Sequence, residues 1–146
     1  MNLPIRVLIA EGQAVVRAGL ASTLAGEPDI SICAWAKDGV EAIQYGGWLH
    51  PDVFLSEVYL PRLSGLTVAA ALKRRLPGIK VLFLTFSEKE EDYQSALALG
   101  VQGYIAKCCD PAEIPAALRE IADGGRVFRP CFERQPCFAI PTKTEK

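Results

Sequence analysis

The sequence contains little that would indicate a catalytic, membrane or nucleic-acid-binding protein. Its only histidine, His50, precedes Pro51 in a predicted connection with no catalytic partner beside it, so we expect no acid–base role there. No apolar run approaches the roughly 20 residues that cross a bilayer, and the N-terminus lacks a signal-peptide core. We therefore expect a cytoplasmic protein with no membrane partner. A formal net charge of −1 gives no electrostatic reason to expect direct nucleic-acid binding.

The cysteines do not form a pattern typical of a disulfide-bonded protein. The five cysteines are an odd number, and a chain of 146 residues that is 50% hydrophobic can stabilise itself by burial, so we expect free thiols in a reducing compartment. Cys108/Cys109 and Cys131/Cys137 do not have the roughly two-to-four-residue separation of a structural zinc site. Glycine-rich nucleotide loops and Walker motifs are absent. No metal or cofactor is predicted, and the role of Cys108 and Cys109 stays open.

Short apolar runs alternate regularly with amphipathic patterns along the first 125 residues. Between these runs, apolar residues recur at three- and four-residue spacing, which is typical of helices that cover a sheet. The alternation predicts an α/β fold of the flavodoxin-like (βα)5 type, a doubly wound parallel sheet with strand order 2-1-3-4-5. Five runs are the predicted buried strands: residues 5–10, 30–36, 53–56, 81–85 and 103–106.

Helix boundaries are also marked in the sequence. Asp38 with Glu41 has capping-box spacing, and so does Asp110 with Glu113. Pro111 would occupy the first position of the last helix, where its missing N–H is not needed, and Gly124-Gly125 would end that helix. We assign residues 1–125 to one domain and residues 126–146 to a C-terminal tail with no effector domain.

Four chemically active residues lie at the end of a predicted strand or directly after one. They are two carboxylates, a hydroxyl and an ammonium: Glu11, Glu57, Thr85 and Lys107. In an open α/β sheet, ligands bind outside the carboxyl ends of the strands, where the strand order reverses. The predicted order places these four side chains along one edge, where such a set can bind a cation or a phosphoryl group.

Several ordered segments with matching separations resemble the response-regulator receiver family, closest to the receivers of LuxR-type DNA-binding regulators. The resemblance extends over residues 4–130 and is carried by residues 5–13, 51–66, 81–85 and 103–107. It implies a domain that accepts a phosphoryl group from a histidine kinase onto an Asp after the third strand, with Mg²⁺ held by that Asp and an acidic pair after the first strand. It also implies a switch at Thr85, Tyr104 and Lys107.

The sequence departs from the family at the phosphoryl-transfer residues. Glu57 stands where the family has the phosphoacceptor Asp, and the acidic pair has become Glu11-Gly12. The extra carbon of a Glu moves its carboxylate by about 1.5 Å, and a misplacement of about 1 Å can cost on the order of a hundredfold in a positioned reaction. We expect phosphorylation to be absent or very slow. This predicts a non-enzymatic, atypical receiver in which Glu57 replaces the phosphorylated state, or else only pairs with Lys107.

Other functions stay open. One is a conventional receiver that is phosphorylated on Glu57 with Mg²⁺ held by Glu11; another is the N-terminal half of a LuxR-type transcription regulator. The expected partner is a signalling protein, a histidine kinase or a DNA-binding regulator, contacted through residues 89–123. Homodimerisation through the same face is a further expectation.

Overall fold

A single sheet of six parallel strands organises the computed structural model, which describes residues 3–131. The strand order is β2-β1-β3-β4-β5-β6, so the predicted flavodoxin-like α/β fold and its 2-1-3-4-5 order are confirmed. The strands are β1 (Ile5–Ala10), β2 (Ile30–Ala36), β3 (Val53–Ser56), β4 (Lys80–Thr85), β5 (Gly103–Ala106) and β6 (Val127–Arg129). Because all six run in one direction, their carboxyl ends lie along one edge.

Five helices follow the first five strands and cover both faces of the sheet. Helices α1 and α5 pack together on one face, while α2, α3 and α4 are neighbours on the other. Each face has its own buried apolar layer, one containing Phe54, Phe83 and Tyr104 and the other Ile9, Leu55 and Ile105. The helices are α1 (Ala14–Leu24), α2 (Gly39–Leu49), α3 (Gly65–Arg75), α4 (Glu90–Leu99) and α5 (Glu113–Ala122).

The two predicted capping boxes behave differently. Asp38 caps α2 as expected, since its Oδ1 accepts a hydrogen bond from the Glu41 backbone N–H at 2.8 Å. The prediction that Pro111 begins the last helix is wrong, because α5 starts at Glu113. The Glu113 carboxylate instead accepts from the Asp110 backbone N–H at 3.1 Å, which closes a turn ahead of the helix. Gly124, at φ 97°, follows the end of α5 as predicted.

The structure adds β6 to the five predicted strands. Val127–Arg129 pairs with β5 in parallel, although the sequence suggested only a tail from residue 126. Val127 is buried, so pairing with β5 also covers apolar surface beside Gly103. The rest of the predicted tail, residues 132–146, and Cys137 lie outside the described residues. Within residues 3–131, none of the helices is long and apolar enough to cross a membrane.

Candidate functional site

The four predicted strand-end residues meet at the carboxyl edge of the sheet. Lys107, just after β5, places its Nζ 2.6 Å from Glu11 Oε1 and 2.8 Å from Glu57 Oε1. The three side chains are 5%, 4% and 7% exposed, so the ion pairs are shielded from water and weakly screened by salt. We call Glu11, Glu57 and Lys107 the buried triad. Thr85 completes the group, since its hydroxyl donates to Glu57 Oε2.

Glu57 is the most heavily hydrogen-bonded member of the triad. Its Oε2 also accepts from the backbone N–H groups of Val58 at 2.6 Å and Tyr59 at 3.2 Å, and its Oε1 accepts from Phe86 N–H at 3.3 Å. A buried carboxylate is tolerated only when its desolvation is offset by opposite charge and hydrogen bonds. The backbone donors follow from how two loops fold over the strand ends, and no residue pattern in the sequence indicates them.

Glu11 is fixed by the start of α1. Its Oε2 accepts from the Gln13 backbone N–H at 3.0 Å, and its own backbone oxygen accepts from Arg17 Nη1 at 2.8 Å. Both carboxylate oxygens of Glu11 therefore have donors, one of them the Lys107 ammonium. The triad holds two negative charges and one positive charge, and the backbone N–H dipoles stabilise the excess negative charge.

Gly12 lies where the β3–α3 loop closes over the site. A Cβ atom placed on Gly12 would lie 2.9 Å from Pro61 Cδ, closer than ordinary carbon contacts. The backbone oxygen of Pro61 accepts from Gly39 N–H at 3.0 Å and from Leu63 N–H at 2.8 Å, so the loop is tied to the start of α2. A side chain at position 12 therefore requires this loop to shift.

Tyr104, the predicted aromatic switch residue, is buried and 1% exposed. Its ring packs edge-on against Tyr93, with centroids 5.1 Å apart. Its hydroxyl has no partner of hydrogen-bond geometry among the described residues, although Ser87 lies near enough to favour the ionised phenol slightly. Burial dominates and raises the pKa of Tyr104 to about 12.

An open cleft of about 430 Å³ lies above the buried triad. Its mouth is framed by two aromatic side chains that sequence reasoning missed, Tyr59 and Phe86, which are 51% and 61% exposed. The Phe86 ring lies over the Lys107 ammonium, whose Nζ is 4.5 Å from the ring centroid, a cation–π arrangement. Both residues lie in loops just after strand ends, so their position depends on loop conformation and not on periodicity.

Other candidate residues lie away from the triad or next to it along the chain. His50 ends α2 at φ 47° and lines a cleft at the opposite edge of the sheet. Cys108 is exposed and Cys109 is half-buried next to Lys107, and their role stays open. Among residues 3–131, no three His, Cys, Asp or Glu side chains are grouped so as to hold a metal ion.

The fold and this strand-edge arrangement agree with the family to which the sequence is matched. The model of the response regulator receiver domain matches residues 7–119, so the chain belongs to the response regulator receiver family. It is 32% identical over 126 residues to the response regulator protein VraR of Staphylococcus saprophyticus, covering 86% of this chain and 60% of that protein. With VraR of Staphylococcus aureus the identity is 33%, covering 88% of this chain and 61% of the relative. The chain thus spans about three fifths of the length of these relatives.

Solved receiver structures share the fold. The signal receiver domain of the response regulator NarL from Mycobacterium tuberculosis superposes with a TM-score of 0.79 at 27% identity, covering 84% of this chain and 99% of that one. A LuxR-family response regulator from an Aurantimonas species superposes with a TM-score of 0.82 over 89% of this chain and 93% of its own, at 24% identity. The second likeness concerns the fold alone.

The residues present do not fit the magnesium ion that the family implies. Lys107 Nζ bridges the two carboxylates of Glu11 and Glu57 at 2.6 and 2.8 Å, where a cation shared by them would have to bind. Position 12 supplies no carboxylate, and all four carboxylate oxygens of Glu11 and Glu57 already accept hydrogen bonds. Mg²⁺ needs near-octahedral oxygen ligands at about 2.1 Å, which this arrangement does not offer.

Proposed function

We propose that this domain is an atypical receiver that signals by binding a protein partner without being phosphorylated. One observation carries the proposal. The carboxylate of Glu57 bonds to Thr85 through one oxygen and to Lys107 through the other, and these are the side chains to which family resemblance assigns recognition of the phosphoryl group. Glu57 would then provide in its own side chain the negative charge that phosphorylation adds elsewhere in the family.

The strength of these contacts is sufficient to bias a two-state domain. A hydrogen bond to a charged group contributes roughly 1.5–3 kcal/mol, and about 1.4 kcal/mol changes an equilibrium tenfold. Thr85 is fully buried and held toward Glu57, and Tyr104 is buried beside the same strand edge. This supports a single dominant conformation of the switch residues, held by Glu57 in the absence of phosphate.

The environment of Glu57 also opposes its use as a nucleophile. Both of its oxygens accept hydrogen bonds, and one of them is paired with an ammonium. An attacking oxygen would first have to lose these partners, each loss leaving a buried donor unsatisfied. The longer side chain also moves the carboxylate relative to an Asp by about 1.5 Å.

The partner follows from the relatives and remains part of the proposal. VraR is named a response regulator, and the sequence resembles the receivers of LuxR-type DNA-binding regulators, so we place this domain in two-component signalling that regulates transcription in the cytoplasm. The domain would contact a histidine kinase or a DNA-binding regulator, or a second copy of itself, through residues 89–123. Direct DNA contact would belong to another domain or protein.

A second candidate function is a conventional receiver that takes a phosphoryl group on Glu57, alone or as the receiver half of a LuxR-type regulator. Membership of the family, the position of Thr85 and Lys107 at strand ends and that of Tyr104 within β5 favour it. Glu11 would have to hold the metal after releasing Lys107. Both functions share the same fold, so only a measurement at Glu57 distinguishes them.

Titration with Mg²⁺ and beryllofluoride, followed by amide NMR of the wild-type domain, tests the proposal. We expect no saturable response near Glu57, Thr85 and Lys107, and no mass increase after incubation with acetyl phosphate. The Glu57→Asp/Gly12→Asp double variant restores both family carboxylates, and Gly12→Ala is its control for the loop shift that a side chain at position 12 requires. Saturable beryllofluoride binding by the wild type, with shifts that reach Tyr104, would overturn the proposal in favour of the conventional receiver.

The phosphate-mimic aspect has its own variant. Glu57→Gln keeps the shape of the side chain and removes its charge, so Thr85 and Tyr104 should become mobile and their amide resonances should shift or broaden. Glu57→Asp keeps the charge and serves as the comparison. Unchanged Thr85 and Tyr104 resonances in Glu57→Gln would mean that the Glu57 charge does not hold the switch residues.

A further inference from the structure

A chain of hydrogen bonds continues from the buried triad to the start of α4. Thr85, which donates to Glu57, accepts from the Ser87 backbone N–H at 3.0 Å. The Ser87 hydroxyl then donates to Asp92 Oδ2 at 2.6 Å. Because Asp92 lies in the first turn of α4, an unbroken chain of polar contacts joins Glu57 to this helix.

Asp92 also receives a contact from the other side of the cleft. The Tyr59 hydroxyl donates to the same Asp92 Oδ2, and the Lys89 ammonium lies over the Tyr59 ring, 5.7 Å from its centroid. Tyr59 in turn donates its backbone N–H to Glu57. The β3–α3 and β4–α4 loops therefore both contact Glu57, and both donate a hydrogen bond to the same carboxylate oxygen of Asp92.

Asp92 differs in this respect from the acidic residues beside it. Glu90, Glu91 and Asp92 all lie in the first turn of α4, where negative charge interacts favourably with the helix dipole. Glu90 and Glu91 are exposed, while Asp92 is partly buried and accepts from two hydroxyl groups. The dipole explains an acidic residue at any of the three positions, but only the position of Asp92 connects the helix to the triad.

We propose that Asp92 is a positioning residue that couples the Glu57 carboxylate to the start of α4. Loss of the Glu57 charge releases Thr85, and release of Thr85 frees Ser87, so the contact that holds the first turn of α4 weakens. Tyr59 forms the second link, because it ties the β3–α3 loop to the same carboxylate. The inference rests on the proposed function in treating Glu57 as the signalling group, and it deepens that proposal by naming the path to the partner-binding face.

The experiment is a mutant cycle read by amide NMR and hydrogen exchange. Glu57→Gln is introduced into the wild type and into Ser87→Ala, Asp92→Asn and Glu91→Gln backgrounds, with Glu91→Gln as the matched control on the same helical turn. We expect Glu57→Gln to shift α4 amides in the wild-type and Glu91→Gln backgrounds. The shift should be reduced in the Ser87→Ala background, where the Tyr59 link remains, and smallest in the Asp92→Asn background, where both links are weakened. The shifts at Thr85 should persist in all four.

Hydrogen exchange supplies a measurement that does not depend on Glu57. Asp92→Asn should speed exchange at the beginning of α4 by about tenfold or more, since it weakens charge-assisted contacts, whereas Glu91→Gln should not. Asp92→Glu is the rescue variant and should restore protection in part. Equal α4 responses to Glu57→Gln in the Asp92→Asn and Glu91→Gln backgrounds would overturn the inference, as would unchanged exchange in Asp92→Asn.

Failure of this inference can be told apart from failure of the proposed function. If acetyl phosphate modifies the wild-type domain while α4 still responds to Glu57 only through Ser87 and Asp92, the proposed function fails and the coupling stands. If the domain is not modified and α4 responds regardless of Asp92, the coupling fails and the proposed function is unaffected.

Discussion

Removal of the Lys107 ammonium should be among the most damaging single substitutions outside the apolar core. In Lys107→Met the side chain keeps a similar length and fills the same space, so the loss is mainly of charge. Glu11 and Glu57, which are 4% and 7% exposed, would then remain buried and adjacent without a cation. Their mutual repulsion adds to the cost of desolvating each carboxylate.

The magnitude follows from that burial. Breaking a buried ion pair by removing one partner costs about 3–5 kcal/mol, and the backbone N–H groups that remain on Glu57 and Glu11 keep the loss from being larger. We expect Lys107→Met to lower the free energy of unfolding by about 4 kcal/mol. With a urea dependence of about 2 kcal/mol per molar, the midpoint should fall by about 2 M.

Urea unfolding followed by circular dichroism measures the effect, and two comparisons isolate its cause. Lys80→Met removes a lysine whose side chain donates, within residues 3–131, only to the Ala122 backbone oxygen, so it should cost about 1 kcal/mol. The triple variant Lys107→Met/Glu11→Gln/Glu57→Gln removes all three charges and should return to within about 2 kcal/mol of the wild type. A loss below about 1 kcal/mol for Lys107→Met, or a triple variant as unstable as the single one, would refute the reasoning.

Four further substitutions test the backbone and the switch residue by urea unfolding. Arg62→Gly should stabilise by about 0.5–1 kcal/mol because Arg62 has φ 73°; a loss of stability would contradict the strain argument. Gly39→Ala should cost about 2 kcal/mol or more, since its Cβ would lie 2.3 Å from Leu63 O, whereas Gly19→Ala, with open space around its Cβ, should not destabilise α1. Tyr104 has a pKa raised to about 12, so folding favours the neutral phenol; stability present below pH about 10 is lost as the pH rises toward 12. The wild type should therefore lose about 2 kcal/mol more than Tyr104→Phe between pH 9 and 11.5, and parallel losses would contradict the assignment.

The strand-edge residues were predictable because their signals are local. Each of the four residues lies at the end of a short apolar run or directly after it: Glu11, Glu57, Thr85 and Lys107. Parallel strands must bring those ends together. A buried strand is apolar throughout, so a charged residue directly after it marks the edge of the sheet. The sequence thus indicated which side chains meet at this edge once the usual strand order of the fold is assumed.

What sequence reasoning missed depends on loops and on contacts distant along the chain. Tyr59, Phe86 and Asp92 lie in or beside connections whose backbone has no repeating pattern, so nothing in the sequence aligns them with Glu57. The β6 strand is only three residues long and forms because β5 offers an unpaired edge. The start of α5 was misplaced because the Asp110/Glu113 spacing also suits a turn that precedes a helix.

The internal salt bridges bear directly on whether a phosphoryl group could ever be accepted. In the present arrangement Lys107 pairs with both Glu11 and Glu57, so a phosphoryl donor would approach carboxylates that are already paired. A metal ion would have to displace the ammonium first. An ordinary surface ion pair contributes about 0–1 kcal/mol and would yield easily, but these three side chains are at least nine-tenths buried. The same burial that makes Lys107 important for stability therefore raises the barrier to conventional switching. Under the proposed function, the domain would hold one conformation for its partner.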